Sequence, residues 1–423
     1  MSSSIAIVGT GYVGLTSGAC FAHLGHRVIC ADIDPARIAS LEAGKVPFFE
    51  PGLAELVTEG IESGRLTFVL GGAKAAEQAD LVYLCVPTPQ RDDGSADLSY
   101  IEQAAAELAS SLRPGAVVVN KSTVPVGSTR VVEQIIARPD VKVVSNPEFL
   151  REGSAVADFL QPDRVVVGSD DREAAEKVAA LYSRIDAPVI VTDPASAETI
   201  KYAANAFLAT KISFINAVAA VCEGVGADVH AVVRGIGTDK RIGSHFLQPG
   251  PGWGGSCFPK DSRALVKIAE DSGYDFALLR GVIAANDEQR QRMVDKVVAA
   301  AGGSLAGVTV AAWGLAFKAN TDDVRDSPAV SIIGEMVGLG ATVRCYDPKA
   351  TADMAGVELV DSALAACDGA DLLVVLTEWP EFVAADLAAV AERLRLKEVV
   401  DTRNVLDREG ARSAGLRLIG VGR

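Results

Sequence analysis

Short, uninterrupted runs of apolar residues divide the first part of the chain into regular segments. They predict strands over 4–8, 27–32, 79–86, 115–120 and 141–144. Continuous apolar runs, in contrast to alternating ones, are typical of strands buried on both faces of a parallel sheet. Because helical patterns occur between the runs, this part of the chain is predicted to be an α/β domain.

Two long helical patterns occupy the middle of the chain. The first extends from Ala195 to about Gly224 and follows Asp193-Pro194, an N-cap residue and a proline suited to the first helical position. The second covers approximately 275–301 and ends at Gly302-Gly303, which we interpret as a hinge. These patterns indicate a helical central region.

The last part of the chain returns to strands and helices in alternation. Apolar runs predict strands over 308–312, 341–346, 371–376 and 398–401, and Ser327-Pro328 predicts the start of a helix. This pattern indicates a second α/β domain at the end of the chain.

Composition agrees with this organisation and excludes some partners. A chain of 423 residues is too long for one ordinary core. Hydrophobic residues make up 49% of it but aromatic residues only 5%, so aliphatic side chains must fill the core, as they do in parallel sheets covered by helices. The net charge of −15 argues against nucleic acid and anionic membrane as partners.

Cysteine usage and the N-terminal sequence predict a cytoplasmic protein. The seven cysteines are an odd number, and six of them lie within or beside apolar runs, which favours reduced, buried thiols. The chain enters a strand by Ile5 without a basic leader, and no apolar run reaches about 18 residues, so neither secretion nor a membrane span is expected.

A glycine pattern follows the first predicted strand. The sequence Gly9-Thr10-Gly11-Tyr12-Val13-Gly14, called the glycine fingerprint below, has the G-x-G-x-x-G spacing and opens a helical pattern. The next strand ends on Asp32, where the ribose hydroxyls of a dinucleotide are expected. The carboxylate would repel a 2′-phosphate, so NAD is favoured over NADP, although Arg37 keeps NADP open.

The two α/β parts therefore differ in their predicted ligands. We predict two doubly wound, Rossmann-like domains joined by a long-helix central region, with boundaries at 1–193, 194–303 and 304–423. The last domain has no glycine fingerprint and is expected to bind something other than a second dinucleotide. Its cationic residues Lys318, Arg325 and Arg403 lie at predicted strand ends, where phosphates could be held.

Polar residues also follow the buried strands of the first domain, at the sheet edge where ligands bind. Thr88 and Thr123 are candidate cofactor contacts, but a hydroxyl that bonds only to turn backbone is an equal alternative. Glu148 and Glu152 flank an arginine after the strand at 141–144, and we favour a catalytic or substrate role for Glu148 over a solvated loop.

The first long helical pattern carries a polar face. Glu198, Lys201 and Asn205 lie on one side of an otherwise apolar helix, so this face should line a site or contact a partner subunit. Further along, the segment 239–244 contains Arg241 and adds basic charge before the next loop.

The loop from Pro249 to Asp261 carries the chain's most specific chemistry. Its glycines and prolines predict an irregular segment that ends at Cys257, with a helix expected from Asp261 onward. A thiol beside Lys260 and near a helix start would be stabilised as the thiolate, so Cys257 is a candidate nucleophile. The alternative is a glycine hinge with a buried cysteine.

Together these motifs resemble the nucleotide-sugar dehydrogenases over nearly the whole chain. The likeness rests on five stretches in the family's order: the glycine fingerprint with Leu15, Asn146 to Gly153, Lys201 with Asn205, Gly254 to Asp261, and Phe317 through Arg325. The family oxidises a sugar alcohol twice, to the carboxylate, and consumes two NAD. Phe258 is similar to the UDP-glucose branch, whereas GDP-mannose enzymes tend to have leucine there.

The resemblance implies roles for individual residues. Cys257 would be the nucleophile, Lys201 and Asp261 would manage the proton and the oxyanion, Asn205 would orient them, and Glu148 would serve thioester hydrolysis. Thr123 is also expected to be catalytic. Arg241 would reach the substrate of a neighbouring subunit in a homodimer or higher oligomer. The residues implied to bind NAD are Gly9, Gly11, Tyr12, Val13, Gly14, Asp32, Arg37, Thr88, Thr123, Glu152, Lys260 and Arg325. Those implied to bind the nucleotide sugar are Glu148, Phe149, Leu150, Arg151, Lys201, Asn205, Arg241, Phe246, Gly254, Lys318 and Arg403, and no metal is implied.

Three alternatives stay open at this stage. The sugar could be GDP-mannose or UDP-N-acetyl-mannosamine. A single-step dehydrogenase of small hydroxy acids is possible, although it has no use for Cys257 or the third domain and would yield one NADH per substrate instead of two. A catalytically silent nucleotide-sugar sensor is disfavoured by the intact set of reactive side chains.

Overall fold

The apolar runs form strands and the longer patterns form helices in the computed structural model, which describes residues 2–423. The chain divides into two compact units. Unit 1 comprises the residues up to Ala204 together with Arg263–Gly273, and unit 2 comprises Asn205–Ser262 with Tyr274–Arg423. The predicted α/β class with two Rossmann-type sheets is confirmed. The three-part division at 193 and 303 stays a prediction.

Unit 1 contains eight strands and the helices that cover them. The strands are β1 (Ser4–Val8), β2 (Arg27–Asp32), β3 (Leu66–Leu70), β4 (Leu81–Leu84), β5 (Val117–Asn120), β6 (Lys142–Ser145), β7 (Val165–Gly168) and β8 (Val189–Thr192). The helices are α1 (Tyr12–His23), α2 (Pro35–Glu42), α3 (Leu53–Glu62), α4 (Gly72–Ala76), α5 (Ser99–Leu108), α6 (Ser128–Ile136), α7 (Ala155–Leu160) and α8 (Arg172–Ala180).

The sheet of unit 1 has the strand order β3-β2-β1-β4-β5-β6-β7-β8. Its first six strands are parallel, and β7 pairs antiparallel with β6. The order reverses between β1 and β4, which is the topological switch point where such sheets bind ligands at the carboxyl ends of their strands. Strands β1, β4 and β5 are apolar on both faces because helices cover both sides.

Two helices have residues in both units. Helix α9 (Pro194–Val225) contains the boundary between Ala204 and Asn205, and α11 (Phe258–Asp271) contains a second boundary after Ser262. Asp193 caps α9 as predicted, because its carboxylate accepts the Ser196 N–H at 2.8 Å. Helix α11 begins three residues earlier than expected, since Pro259 is tolerated in a first helical turn.

Unit 2 contains the remaining elements. Its strands are β9 (Thr309–Trp313), β10 (Thr342–Tyr346), β11 (Val357–Leu359), β12 (Leu372–Val375), β13 (Glu398–Asp401) and β14 (Arg417–Ile419). Its helices are α10 (Val229–Gly237), α12 (Ala277–Ala300), α13 (Pro328–Gly338), α14 (Ala363–Cys367), α15 (Pro380–Val383), α16 (Leu387–Arg393) and α17 (Arg408–Ser413).

The sheet of unit 2 is parallel throughout its described pairs, with the order β11-β10-β9-β12-β13-β14. The order again reverses beside the first strand of the unit, here β9. Helices α12 and α13 pack on this sheet through apolar side chains such as Met293, Ile332 and Met336, which are fully buried. Unit 2 therefore presents its own ligand-binding edge.

Helix α9 is long and apolar enough to cross a membrane by length and composition alone, which was not expected from the sequence. Its polar side chains argue for a core helix. Lys201, Asn205, Ser213 and Asn216 are all buried, and each of them bonds to another part of the protein. A single such helix is weak evidence for a membrane span.

Candidate active site

The glycine fingerprint forms the turn between β1 and α1. Gly9 has φ +98°, and a Cβ there would lie 2.6 Å from the Cys85 carbonyl oxygen. A Cβ on Gly14 would collide with the Gly9 carbonyl, whereas one on Gly11 would meet nothing within 4 Å. The first and third glycines are therefore needed for packing, and the backbone at Gly11 is open to a ligand at the start of a helix.

Asp32 lies at the end of β2 beside this turn. Its Oδ2 accepts the Thr10 N–H at 2.9 Å and its Oδ1 accepts the Asp34 N–H at 3.1 Å. Burial acts to raise the pKa of Asp32, but the hydrogen bonds from Thr10 and Asp34 outweigh it and leave the pKa below its ordinary value. The ionised carboxylate fits the ribose of NAD, and Arg37 Nη1 lies 3.7 Å from it.

Thr88 and Thr123 lie at the same edge of the sheet, after β4 and β5. The Thr88 hydroxyl donates to the Thr123 carbonyl at 2.9 Å, so it links the two strand ends. Next to them, the Ser122 hydroxyl donates to the Val86 carbonyl at 2.7 Å. These bonds fix the edge on which a cofactor would lie, and the cofactor role of both threonines stays a prediction.

Glu148 and Lys201 form a buried ion pair in unit 1. The Lys201 ammonium donates to Glu148 Oε1 at 2.9 Å, and the two side chains are 3% and 5% exposed. Glu148 Oε2 also accepts the Leu150 N–H at 2.5 Å. An ion pair this deeply buried gains little stability over apolar packing, so its retention favours a chemical role.

Aromatic stacking holds the residue after Glu148. The Arg164 guanidinium lies 3.6 Å from the Phe149 ring centroid, and Lys201 Nζ lies 5.5 Å from the same centroid. Burial lowers the pKa of Arg164 from its ordinary value. No sequence motif marks Arg164, and only the structure shows that it supports the Glu148 loop by stacking on Phe149.

Arg151 and Glu152 continue this loop. The Arg151 side chain is 57% exposed and pairs with Asp158. The hydrogen bond between the two side chains raises the pKa of Arg151. Glu152 is half-buried, and its charge adds to burial and to Glu50 in raising the pKa of Tyr12 in the glycine fingerprint. Glu152 thus lies near the predicted cofactor turn, while Arg151 faces solvent in the described chain.

The loop before Cys257 belongs to unit 2 and is held at both its backbone and its side chains. The Gly250 N–H donates to Asn216 Oδ1 at 2.8 Å, and the Trp253 N–H donates to Asn286 Oδ1 at 2.8 Å. Gln289 Nε2 donates to the Gly250 carbonyl at 2.7 Å. These buried amides extend from α9 and α12, so the loop has a fixed shape despite its glycines.

Cys257 stands immediately before α11 and is partly exposed, whereas the other six cysteines of the chain are buried. Burial raises the pKa of Cys85 and of Cys367 to about 12. The Ser256 hydroxyl oxygen lies 3.6 Å from Cys257 Sγ. Of the seven thiols, Cys257 is therefore the one with both access and a helix N-terminus to stabilise a thiolate.

Asp261 lies one turn into α11 and is fully buried in unit 2. Asn205 Nδ2 donates to its Oδ2 at 2.6 Å, and Lys260 Nζ lies 3.0 Å from its Oδ1. Asn205 follows Lys201 by one turn of the same helix. Helix α9 therefore carries Lys201, which pairs with Glu148, and one turn later Asn205, which bonds to Asp261 on α11.

The remaining predicted residues of unit 2, which are substrate residues except for the NAD-assigned Arg325, fall into two groups. Arg403 is held at the sheet edge, where its guanidinium donates to the Leu376 carbonyl at 2.8 Å and the Phe317 carbonyl at 2.7 Å. Lys318 Nζ lies 5.5 Å from the centroid of the Phe317 ring. Their position at the carboxyl ends of β9, β12 and β13 agrees with a phosphate site.

The second group lies on loops. Arg241 is 89% exposed and pairs with Asp239, and Arg325 is 64% exposed and pairs with Asp323. Phe246 has φ +61°, and its ring centroid lies 6.4 Å from that of Phe258. Gly254 packs against the Asp326 carbonyl with no room for a side chain. The structure thus places Phe246 beside the cysteine loop, which contains Gly254, and leaves Arg241 facing outward.

Glu198 fits neither expectation for the polar face of α9, which was predicted to line a site or to contact a partner subunit. It neither lines the predicted site nor faces outward, because its carboxylate accepts the N–H groups of Gly127 and Thr129 at the start of α6, at 2.6 and 2.9 Å. Of the three residues on this face, only Lys201 and Asn205 remain candidates for lining the predicted site. Among residues 2–423, no cluster of three His, Cys, Asp or Glu side chains could hold a metal ion.

Comparison with known proteins adds a family. Models of the UDP-glucose/GDP-mannose dehydrogenase family match residues 3–186 (NAD binding domain), 195–288 (central domain) and 311–408 (UDP binding domain). UDP-glucose 6-dehydrogenase TuaD of Bacillus subtilis (strain 168) is 46% identical over 429 residues, which cover 99% of this chain and 93% of the relative.

Two solved structures are similar over the full length. The UDP-glucose dehydrogenase of the hyperthermophilic archaeon Pyrobaculum islandicum is 39% identical with a TM-score of 0.92, over 100% of this chain and 98% of its own. The UDP-D-ManNAc dehydrogenase of Pyrococcus horikoshii is 28% identical with a TM-score of 0.88, over 99% of both chains. The similarity to UDP-glucose enzymes is thus the stronger one in sequence.

Proposed function

The chain belongs to the UDP-glucose/GDP-mannose dehydrogenase family, and on that premise we propose that it oxidises UDP-glucose to UDP-glucuronate with NAD, through a thioester on Cys257. The family membership and the NAD-dependent oxidoreductase class rest on full-length relatives. The thioester route rests on the residues around the cysteine.

One observation carries the covalent mechanism. Cys257 is the partly exposed thiol of the chain and stands at the start of α11, behind a loop that buried amides hold in place. A thiolate there attacks the aldehyde carbon formed by the first oxidation, and the aldehyde oxygen takes up a proton. Removal of hydride and proton from this thiohemiacetal gives the thioester, which water cleaves to the carboxylate and the free thiol.

The polar residues of α9 and of the loop after β6 have proton and charge roles in this scheme. Lys201 stabilises the oxyanion that develops at the reacting carbon, and Glu148, its ion-pair partner, orients or deprotonates the hydrolytic water. Asp261, fixed by Asn205 and Lys260, holds a proton-accepting carboxylate on the cysteine helix. Thr123 lies at the adjacent strand end.

The glycine fingerprint and Asp32 would hold NAD, which would supply the hydride acceptor for each oxidation. The open backbone at Gly11 would bind the pyrophosphate, and the Asp32 carboxylate would accept the ribose hydroxyls. Tyr12, Val13, Thr88 and Glu152 belong to the same unit and are assigned to this position. The NAD roles of Lys260 and Arg325, which belong to unit 2, rest on the resemblance to the family. Because no 2′-phosphate is tolerated beside an ionised Asp32, NAD is preferred over NADP.

A stripe on α9 supports a homodimer. Phe207, Phe214 and Val221 recur every seven residues and are 66%, 56% and 62% exposed, and Val225 is 72% exposed. An apolar row of this length on one helix face requires cover, and a second copy of the same helix supplies it in a two-fold arrangement. Arg241 then reaches the neighbouring subunit's substrate.

We also propose a cytoplasmic location, on the basis of the free thiols.

The test of the proposed function is a count of NADH against product. Purified enzyme is assayed at 340 nm with limiting UDP-glucose, GDP-mannose, UDP-N-acetyl-mannosamine and a set of small hydroxy acids. We expect two NADH per UDP-glucose and a kcat/KM for it that exceeds the other nucleotide sugars by about 10²-fold or more. One NADH per substrate, or a preference for a hydroxy acid, would refute the proposal.

A further inference from the structure

A buried carboxylate, Glu50, joins the glycine fingerprint to the loop that carries Glu148. Glu50 lies between α2 and α3 and is 5% exposed. The Tyr12 hydroxyl donates to its Oε2, which also accepts the Gly153 N–H at 2.6 Å. Its Oε1 accepts the Ala155 N–H at 2.7 Å. All four residues belong to unit 1.

The contacts form a closed network. The Gly153 N–H lies 3.2 Å from the Tyr12 hydroxyl oxygen as well, and the Tyr12 ring packs against Phe48 with the ring centroids 5.1 Å apart. Burial, followed by the hydrogen bond to Glu50, raises the pKa of Tyr12 far above its ordinary value, so the phenol keeps its proton and remains a donor. Oε2 of Glu50 therefore has donors from both segments, Tyr12 and Gly153, and Oε1 has a donor from Ala155.

Stability alone does not explain a carboxylate here. A buried ionised group is costly to desolvate, and no cation is among its hydrogen-bond partners, which are one phenol and two backbone N–H groups. The two segments it joins are distant in sequence, since Tyr12 and Gly153 are 141 residues apart. One segment is the predicted cofactor turn, and the other ends the loop that holds Glu148, Phe149 and Arg151.

We propose that Glu50 is a positioning residue that couples cofactor binding at the glycine fingerprint to nucleotide-sugar binding on the loop 148–153. This inference rests on the proposed function for the assignment of the two ligands. A ligand that orders Tyr12 also orders Gly153 through the shared carboxylate, and the loop then holds the sugar-binding residues in place. By linkage, each ligand raises the affinity for the other by the same factor.

The coupling is measured as a ratio of dissociation constants. The Kd of UDP-glucose is determined by calorimetry with and without saturating NADH, and the Kd of NADH with and without UDP-glucose; this ternary complex does not react. In the wild-type enzyme we expect a factor of about 5 or more, the lower end of measured couplings. In Glu50→Gln, which has one acceptor oxygen for three donors, the factor should fall close to one, while each single-ligand Kd changes by less than about 3-fold.

Two further variants separate positioning from a general loss of stability. Glu55→Gln makes the same chemical change at an exposed position of α3 and should leave the factor unchanged. Tyr12→Phe removes one donor but keeps both backbone bonds, so it tests the same link if Glu50→Gln does not fold. Its factor should also fall, and the double variant should lose no more than Glu50→Gln alone.

The possible failures are distinguishable. If wild-type enzyme binds no UDP-glucose, the proposed function is wrong and the coupling falls with it. If both ligands bind normally, then a wild-type factor near one, or an undiminished factor in Glu50→Gln or in Tyr12→Phe, overturns the coupling alone.

Discussion

At the scale of single residues, the proposed mechanism depends on one sulfur atom. Cys257→Ser keeps the size of the side chain but replaces a thiol, whose unperturbed pKa is about 8.5, by a hydroxyl that is not ionised at neutral pH. We expect steady turnover to fall by about 10³-fold or more, with the second oxidation affected first. Rapid-mixing measurement of NADH, combined with intact-mass analysis of the protein, separates the two oxidations.

A matched substitution controls for the loss of any thiol. Cys222→Ser makes the same atomic change at a side chain that is 3% exposed in α9, so it should lower stability without changing the two NADH per sugar. If Cys257→Ser still released two NADH per UDP-glucose at close to the parental rate, Cys257 would not be the nucleophile.

Some residues could be found from the sequence because position alone marks them. Asp32 and Glu148 follow buried strands, and the carboxyl ends of parallel strands share one edge. Glu50 and Asn286 could not be found in this way. Each acts through a side chain that bonds to a distant segment, and no periodicity records which way such a side chain points.

At the scale of elements, the cysteine loop is shaped by contacts that exclude a Cβ. At Gly254 a Cβ would collide with the Asp326 carbonyl oxygen and lie 2.8 Å from Pro328 Cδ, the first residue of α13. We expect Gly254→Ala to displace the loop, to destabilise the protein by about 1–3 kcal/mol and to lower kcat more than it raises the KM for NAD. Thermal unfolding and steady-state kinetics measure these effects.

Gly334→Ala is the control for this substitution. Gly334 lies within α13, and a Cβ there meets nothing within 4 Å, so alanine should be neutral or slightly stabilising. A Gly254→Ala enzyme with unchanged stability and kcat would mean that the loop adapts, and that its fixed shape is not required for catalysis.

The elements themselves could be predicted where they are long or strongly apolar. Helix α9 was expected from its N-cap, and the central strands of both sheets from their apolar runs. Strands β11 and β14 have three residues each and lie at the edges of their sheet. They are too short for a pattern to form, and they exist because a neighbouring strand offers them hydrogen bonds.

At the scale of the whole molecule, the outward position of Arg241 has a consequence that mixed dimers can test. When Arg241→Ala and Cys257→Ser chains are mixed, a site that combines an intact cysteine with the partner's intact arginine is regenerated only if the arginine acts across the subunit boundary. For the proposed homodimer we expect recovery of roughly one quarter of wild-type activity, since half of the dimers are mixed and each mixed dimer has one complete site.

The reciprocal mixture sharpens this experiment. A chain with both substitutions, mixed with wild-type chains, should inactivate the wild-type sites it pairs with, because it withholds the arginine. If the first mixture stays inactive and the second retains the activity of its wild-type chains, Arg241 acts within its own subunit.

The fold class of the whole chain was predictable, but its division into compact units was not. Pro194 and Gly302-Gly303 predict three regions, a division that stays a prediction, and no feature of the sequence predicts the boundary between the two compact units inside α9. A boundary within a continuous helix leaves no proline, glycine or change of composition to mark it. It depends on which side chains pack together, and that is decided only in three dimensions.

Six cysteines are buried and one is accessible, and this difference determines which thiol reacts with oxidants. Peroxide and alkylating agents act on accessible thiolates, so they reach Cys257 long before Cys20, Cys30 or Cys345 in the cores. Under the proposed mechanism, oxidation of Cys257 therefore stops the formation of UDP-glucuronate while the fold is still intact. A cell under oxidative stress would therefore keep the enzyme folded but inactive. A thiol reductant would restore its activity, provided that Cys257 has not been oxidised beyond the sulfenic acid.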